Sequence, residues 1–506
     1  MTLLDLIDGA VRDRRDAVAL DGPAVPGGPR TYGTLVEHAA RRAGELARRG
    51  VRPGDRVAML SENRAEVAEL LIACWRLGAC VVPLNTRHTP RELALVLDDA
   101  RPRLLLVDQE HEPAACRALD EAPGAALVPL DGPGEGRVDG PDAAPAATDA
   151  ALLLYTSGTT GRSKGAVLSH GNVVATIAAL IAAWRIVPED RLLLTLPLFH
   201  THGLVVGLLT TLAAGGTVAL HRRFDAGEIA RALGAGEASL FYGVPTLYVR
   251  LVEALRERGA AFPARVRLCC SGSAPLAPET FGAFRELTGL EILERYGMTE
   301  TGMTLSNPYA GPRLPGTVGR PLPGVSIRIV GEDGTDVSNG ADGELLVAGP
   351  NVFGGYLGDE RKTRESFVAD GQGGRWFRTR DLARRDPATG HVTLLGRRHE
   401  LIISGGFNVY PREVEDVLAA HPRVAEAAVC GVPDPEWGER VVAFVVGRGA
   451  ISARELAAWA RERLAGYKVP RRFVPLASLP RNAMGKIDRR ALVREAGADG
   501  TPEEGS

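Results

Sequence analysis

Six cysteines in 506 residues are too few and too scattered to build a scaffold. Cys74, Cys80, Cys116, Cys269, Cys270 and Cys430 show no CxxC pair and no Cys/His ligand spacing, which argues against a structural zinc site or a disulfide framework. They read as reduced, buried thiols of a cytoplasmic protein, with Cys269-Cys270 serving strand packing. Long apolar runs are missing too, so no segment reaches membrane-spanning length. The opening residues, MTLLDLIDGAVRDRRD, place acids where a signal peptide keeps an uninterrupted apolar core. Nor is there a surplus of one charge: the formal net charge is −2, and the 60 Lys and Arg residues, mostly Arg, are scattered. That balance excludes a global basic field for nucleic acid or anionic membrane. There are no internal repeats.

What is present is an alternation of helical and strand patterns. YGTLVEHAARRAGELARRG is an amphipathic helix closed by glycine, VAMLS a short buried strand, AEVAELLIACWRLG a second helix, and ACVVPLN a second strand. RELALVLDDA and RLLLVD repeat the order, which predicts a parallel sheet layered with helices. The Gly/Pro/Ala-rich stretch 131–149 reads as a mobile surface connection. From about residue 325, VSIRIV, GELLVAG and HVTLLG predict a smaller β unit. Residues 400–493 alternate REVEDVLAAH and ARELAAWARERLAG with EAAVCGV, RVVAFVVG and RRFVPL, as a compact α+β domain would. The last residues, GADGTPEEGS, read as disordered. The length itself suggests roughly three or four structural units.

One stretch stands apart. YTSGTTGRSKG, residues 155–165, crowds glycines, hydroxyls and one lysine behind the apolar strand ALLL and ahead of AVLSHGNVVATIAALIAAW, which reads as helix. Backbone N–H groups converging at such a turn suit a phosphate. A Walker A loop requires glycine directly before the lysine; Ser163 stands there, so the P-loop pattern fails. Glycine kept for a tight strand-to-helix turn, with no ligand, is the competing explanation.

The rest of the chain decides between them. YTSGTTGRSKG, LPLFHTHGL (196–204), SGSAPL (271–276), YGMTE (296–300), WFRTRDLA (376–383), GRRHELIISGGFNVYPREVE (396–415) and PRNAMGKI (480–487) together resemble, in order, the signatures of the AMP-forming adenylating superfamily. Its members are acyl-CoA synthetases, carrier-loading adenylation domains and luciferases. The resemblance implies a large N-terminal adenylate-forming domain of layered α/β sheets with a small β unit (1–396), a hinge (397–400), a mobile C-terminal α+β domain (401–495) and a tail (496–506). It implies ATP, magnesium and coenzyme A, joined to a carboxylic acid through an acyl-adenylate. The chemical need is electrostatic, because two anions must meet while charge builds on the departing pyrophosphate.

By the same resemblance, Thr156, Ser157, Gly158, Thr159, Thr160, Gly161 and Lys164 would hold the β- and γ-phosphates. Glu300 would hold magnesium and Thr299 the α-phosphate. Tyr296, Gly297 and Met298, with the turn Gly272-Ser273-Ala274, would border the adenine. Asp381 would accept the ribose hydroxyls, with Arg397 beside it. Lys486 would bridge carboxylate and α-phosphate. Rotation at His399 would then withdraw Lys486 and bring Gly405-Gly406 to a pantetheine channel. His200 resembles the gate of the acid pocket, which His202 would help line.

Three departures stand out: Ser163 where many relatives have proline, Arg380 where many have glycine, and His399 where Asp or Lys is commoner. None removes a charge the chemistry needs. Residues 294–319, ERYGMTETGMTLSNPYAGPRLPGTVG, are similar beyond the common core to malonyl-CoA synthetases, where the arginine matching Arg295 meets the distal carboxylate of the acid. A guanidinium suits that task; an Arg295 paired with Glu294 or another surface acid is the plain alternative. Malonate or a small dicarboxylate is the expected acid. A larger acid, or a carrier protein as acceptor, stays open, as does the choice between monomer and homodimer.

Overall fold

The computed structural model describes residues 1–498 except 133, 135–143, 157–163, 259–261, 371–372, 398–399, 405–406, 435–436, 465 and 483–484. The chain forms two compact units, Met1–Ile327 with Val347–Arg378, and Arg328–Leu346 with the residues from Thr379 onward.

The first unit is built on two large sheets. One runs Arg320–Pro321, Gly302–Ser306, Leu293–Met298, Leu268–Ser271, Leu240–Gly243, Arg191–Leu194, Thr217–Leu220, Val18–Asp21, Arg30–Thr31 in spatial order. Its middle strands pair in parallel. The other runs Gly355–Tyr356, Lys164–Ser169, Ala150–Thr156, Cys80–Pro83, Arg56–Leu60, Leu104–Val107, Ala126–Pro129. The predicted helices appear as Tyr32–Arg48, Ala65–Arg76 and Pro90–Ala100, the last started by a capping box of Thr89 and Glu92 with Pro90 in its first turn. Apolar strands and helix faces pack into a large cluster that includes Trp75 and Trp184, both fully buried, with separate clusters around Phe241 and Phe284 and around Leu60 and Leu105.

The stretch after the phosphate loop departs from expectation. AVLS is not helical: Lys164–Ser169 is a strand, antiparallel to Ala150–Thr156, with Thr156 directly opposite Lys164. The helix begins only at His170, where the Ser169 hydroxyl accepts the Asn172 N–H and Asn172 reciprocates. That cap sets the boundary; upstream of it Leu153 and Leu154 take Val167 and Ala166 as cross-strand partners. Cys116 is a second correction. It is exposed, because the helix Glu112–Glu121 buries Ala115 and Ala118 and turns the intervening face outward. The other five cysteines are buried and none is bridged.

The second unit contains the predicted C-terminal strands and helices. Ile402–Ser404, Phe407–Val409, Val424–Asp434, Gly438–Gly447 and Arg472–Pro475 form one sheet, packed by Pro411–Ala419 and Ala453–Arg461. The helix Arg489–Ala498 runs into the first residues of the expected tail. Much of the connection expected at 131–149 lies outside the described residues. Among the described residues no helix is long and apolar enough to cross a membrane.

Candidate active site

In parallel sheets, ligands gather beyond the carboxyl ends of the strands. There the first unit places Ser271 at the end of the strand Leu268–Ser271, Gly272 and Ser273 just after it, and Arg295 to Met298 on its neighbour. Arg295 is 3% exposed, and its Nε and Nη2 have no hydrogen-bond partner. No carboxylate forms an ion pair with it among the described residues; the neighbouring Glu294 instead accepts the Gly316 N–H at 2.9 Å. Burial lowers the affinity of Arg295 for its proton. A buried guanidinium left in this state is costly until an anion reaches it.

Gly272 explains how the guanidinium fits. A Cβ built there would lie 2.5 Å from Arg295 Cζ, so only glycine lets the planar group lie against the backbone. Ser273 follows with φ +70°, a left-handed conformation that turns the chain across the strand end. Its hydroxyl meets His202 Nδ1 at 3.4 Å, while His202 Nε2 has no partner. Burial, then Arg295, then His200 push the proton affinity of His202 well below the usual histidine value, so the ring is neutral. His202 opens a π-helical segment that runs to Leu209, a widened turn of the kind often found at functional sites. His200, half-buried two residues earlier, packs edge-on against Phe199.

A second cluster forms around the phosphate-loop hairpin. Ser157, Gly158, Thr159, Thr160 and Gly161 lie outside the described residues, but Thr156 and Lys164 face each other at the base. Lys164 Nζ sits 5.4 Å from the centre of the Tyr356 ring, and the Tyr356 hydroxyl donates to Glu300 Oε1 at 2.9 Å. Glu300 is 6% exposed and its backbone carbonyl accepts the Phe353 N–H at 2.8 Å. A buried carboxylate with one oxygen tethered by a phenol suits magnesium, which keeps waters and substrate phosphates in its shell and needs few protein ligands. Among the described residues, one His/Cys/Asp/Glu cluster has metal-like spacing, Glu62, Glu110 and His111, but Arg223 bridges both its carboxylates.

Tyr296 is buried and its hydroxyl points to Met298 Sδ at 3.8 Å. Gly297 is required by the strand opposite, since a Cβ would meet the Gly302 carbonyl oxygen at 2.2 Å. Thr299 and Glu300 occupy the 3-10 turn that follows. Ala274 continues the exposed turn after Ser273. The sequence reading missed Tyr356, whose only signal was the pairing of GGYLG with the strand after the loop.

In the second unit, Asp381 is 5% exposed and pairs with Arg397 Nε at 2.8 Å, the two standing opposite each other across antiparallel strands. Arg397 also donates to the Thr379 carbonyl at 3.1 Å, and the Asp381 N–H donates to the Thr379 hydroxyl at 3.0 Å. Arg380 has φ +63°, which explains why glycine is at home in this position; arginine holds it at a steric cost. Lys486 is exposed in a turn where its N–H donates to Asn482 Oδ1 at 3.1 Å. His399, Gly405 and Gly406 lie outside the described residues.

Residues 7–357 match the AMP-binding enzyme family and residues 413–486 the AMP-binding enzyme C-terminal domain. The chain belongs to this family. This AMP-binding enzyme is 36% identical to the mitochondrial malonate–CoA ligase of Homo sapiens, over 92% of this chain and 88% of that one. It is 38% identical to a feruloyl-CoA synthase of Amycolatopsis sp, over 92% and 94%. The ATP-bound structure of MatB from Rhodopseudomonas palustris superposes with a TM-score of 0.88 at 38% identity, over 99% of both chains. The family places the enzyme among the AMP-forming acyl-CoA ligases, as its motifs imply.

The lysine at the loop has a measurable consequence. Burial first, and Lys362 next, hold Lys164 down to about 8. The second-order rate constant kcat/KM for ATP should therefore fall as pH rises through about 8, where the free enzyme loses this cation. A flat profile to pH 10 would show that Lys164 does not meet the nucleotide.

Proposed function

We propose that this AMP-forming acid–CoA ligase takes malonate or a small methyl-branched dicarboxylate. The supporting observation is Arg295, buried with two nitrogens unpartnered and no carboxylate paired to it among the described residues. A distal carboxylate of the acid supplies the missing partner, as a bidentate pair with the guanidinium. The named activity of the malonate–CoA ligase relative agrees with this, while the feruloyl-CoA synthase keeps a larger acid as the second reading.

In the proposed sequence, one carboxylate of the acid attacks the α-phosphate of ATP, the bond from that phosphorus to the bridging oxygen breaks, and pyrophosphate leaves. Lys164 and Thr156 hold the phosphate tail, Thr299 the α-phosphate, and Lys486 the meeting carboxylate and phosphate. Tyr296 and the Gly272–Ala274 turn border the adenine, and Asp381, oriented by Arg397, takes the ribose hydroxyls. Magnesium, held by Glu300, neutralises phosphate charge when bound. His200 and neutral His202 line the acid side without acting as bases. In the second half-reaction the C-terminal domain, turning at His399, withdraws Lys486 and presents Gly405-Gly406, where a narrow thiol arm reaches the acyl carbon and AMP leaves. Free coenzyme A is the acceptor, in a reducing, cytoplasmic setting that fits unbridged thiols.

A direct assay tests the acid. With ATP, magnesium and coenzyme A, malonate should drive AMP release with kcat/KM at least about tenfold above acetate or ferulate, since one bidentate charged contact is worth about 1.5–3 kcal/mol. Higher turnover of ferulate would replace malonate with the aromatic reading.

A further inference from the structure

Sixty residues of the chain are Lys or Arg, yet only four are lysine: Lys164, Lys362, Lys468 and Lys486. Against so strong a preference for arginine, each lysine marks a place where a compact, rotatable ammonium differs in use from a planar fork. Lys468 is explained by Glu413, whose carboxylate it meets at 2.6 Å. Lys164 and Lys486 lie in the phosphate-loop and C-terminal motifs. Lys362 has no such account.

Its position is built with care. The Asp359 side chain accepts the Lys362 N–H at 2.8 Å and so starts the short helix Glu360–Glu365. Thr363 on that helix accepts the Tyr356 N–H at 2.9 Å. Gly355 makes this approach possible, since a Cβ there would lie 2.6 Å from Thr363 Cγ2. Gly355 and Tyr356 in turn pair with Val167 and Ala166, on the strand that Lys164 begins. These contacts hold the turn that carries Lys362 beside Tyr356, whose ring centre lies 5.4 Å from Lys164 Nζ, and Lys362 is close enough to act on the Lys164 ammonium. Among the described residues neither forms an ion pair with a carboxylate, although Glu300 and Asp359 act on Lys164 from farther away.

Two neighbouring like charges, both half-buried and neither ion-paired with a carboxylate among the described residues, repel one another unless an anion joins them. We propose that Lys362 is a second cation of the phosphate site, and that it grips, together with Lys164, the diphosphate end of the nucleotide that departs as pyrophosphate. The proposal rests on the nucleotide reading given above. Charge grows on that diphosphate as its bond to the α-phosphorus breaks, so a paired cation there acts on the leaving group and not on the adenosine.

The experiment compares the full-length enzyme with Lys362→Gln and Lys362→Arg, using inorganic pyrophosphate and AMP as separate probes by calorimetry. Pyrophosphate affinity and KM for ATP should worsen by about tenfold or more in Lys362→Gln, the value of one charge-assisted contact. AMP affinity and KM for the acid should stay within about twofold, and the unfolding temperature should stay level or rise, since a like charge is removed from beside Lys164. Lys362→Arg, which keeps the charge, should retain most of the pyrophosphate affinity. The proposal is overturned if Lys362→Gln binds pyrophosphate as the parent does, if it loses AMP and pyrophosphate equally, or if the arginine variant is as weak as glutamine. A parent enzyme that binds neither probe would overturn the nucleotide reading itself.

Discussion

Lys486→Ala should lower ATP-dependent formation of the acyl-adenylate by about 10²- to 10³-fold, the loss seen when one preorganised donor is removed from developing charge. Thioester formation from pre-made acyl-adenylate should survive within a few-fold. The argument begins with the turn. Asn482 N–H donates to the Lys486 carbonyl at 2.8 Å, Arg481 reaches the Gly485 carbonyl at 3.0 Å, and Arg481 bridges Ile487. The backbone is thus fixed by its neighbours while the lysine side chain is exposed, so its removal leaves the fold intact. Rapid-quench measurement of pyrophosphate release, set beside thioester formation from synthetic adenylate, separates the two steps. Equal loss in both would make Lys486 a structural residue.

Arg295→Leu carries the second large effect. Leucine fills apolar space and removes a charge that has no carboxylate partner among the described residues, so folding should not suffer. The KM for malonate should rise about 10²-fold, the value of a bidentate charged pair near 3 kcal/mol, while a short monocarboxylate should be used as well as before or better. Gly272→Ala should reproduce part of this loss, because its Cβ would stand 2.5 Å from the Arg295 guanidinium carbon and push it aside. Unchanged malonate kinetics in both variants would remove Arg295 from the acid pocket.

Local signals carried most of the architecture. Amphipathic helices ending at glycine, short apolar strands and the change of texture near residue 325 all lie where the periodicity puts them. The hairpin after the phosphate loop was illegible because AVLS and the helix behind it share apolar, alanine-rich composition. Only the Ser169 cap separates them. The candidate site residues that the sequence offers are those that cluster in motifs. Tyr356 and Lys362 escaped because sheet pairing, not sequence spacing, brings them beside Lys164. Gly272 was read for the adenine, yet its missing side chain also makes room for Arg295, a relation that exists only once two parallel strands lie side by side.

The pairing of Lys164 with Lys362 has a chemical consequence beyond phosphate binding. An amine held near 8 is unprotonated far more often at neutral pH than an ordinary lysine, and a free amine is a nucleophile. This enzyme manufactures mixed anhydrides and thioesters, reagents that acylate free amines. Arginine is inert to them, and nearly all the cations of the chain are arginine. Lys164 is therefore a side-chain amine open to self-acylation, and a nucleotide bound as proposed, its phosphate charge favouring the ammonium form and covering it, would shield the catalyst from its own product.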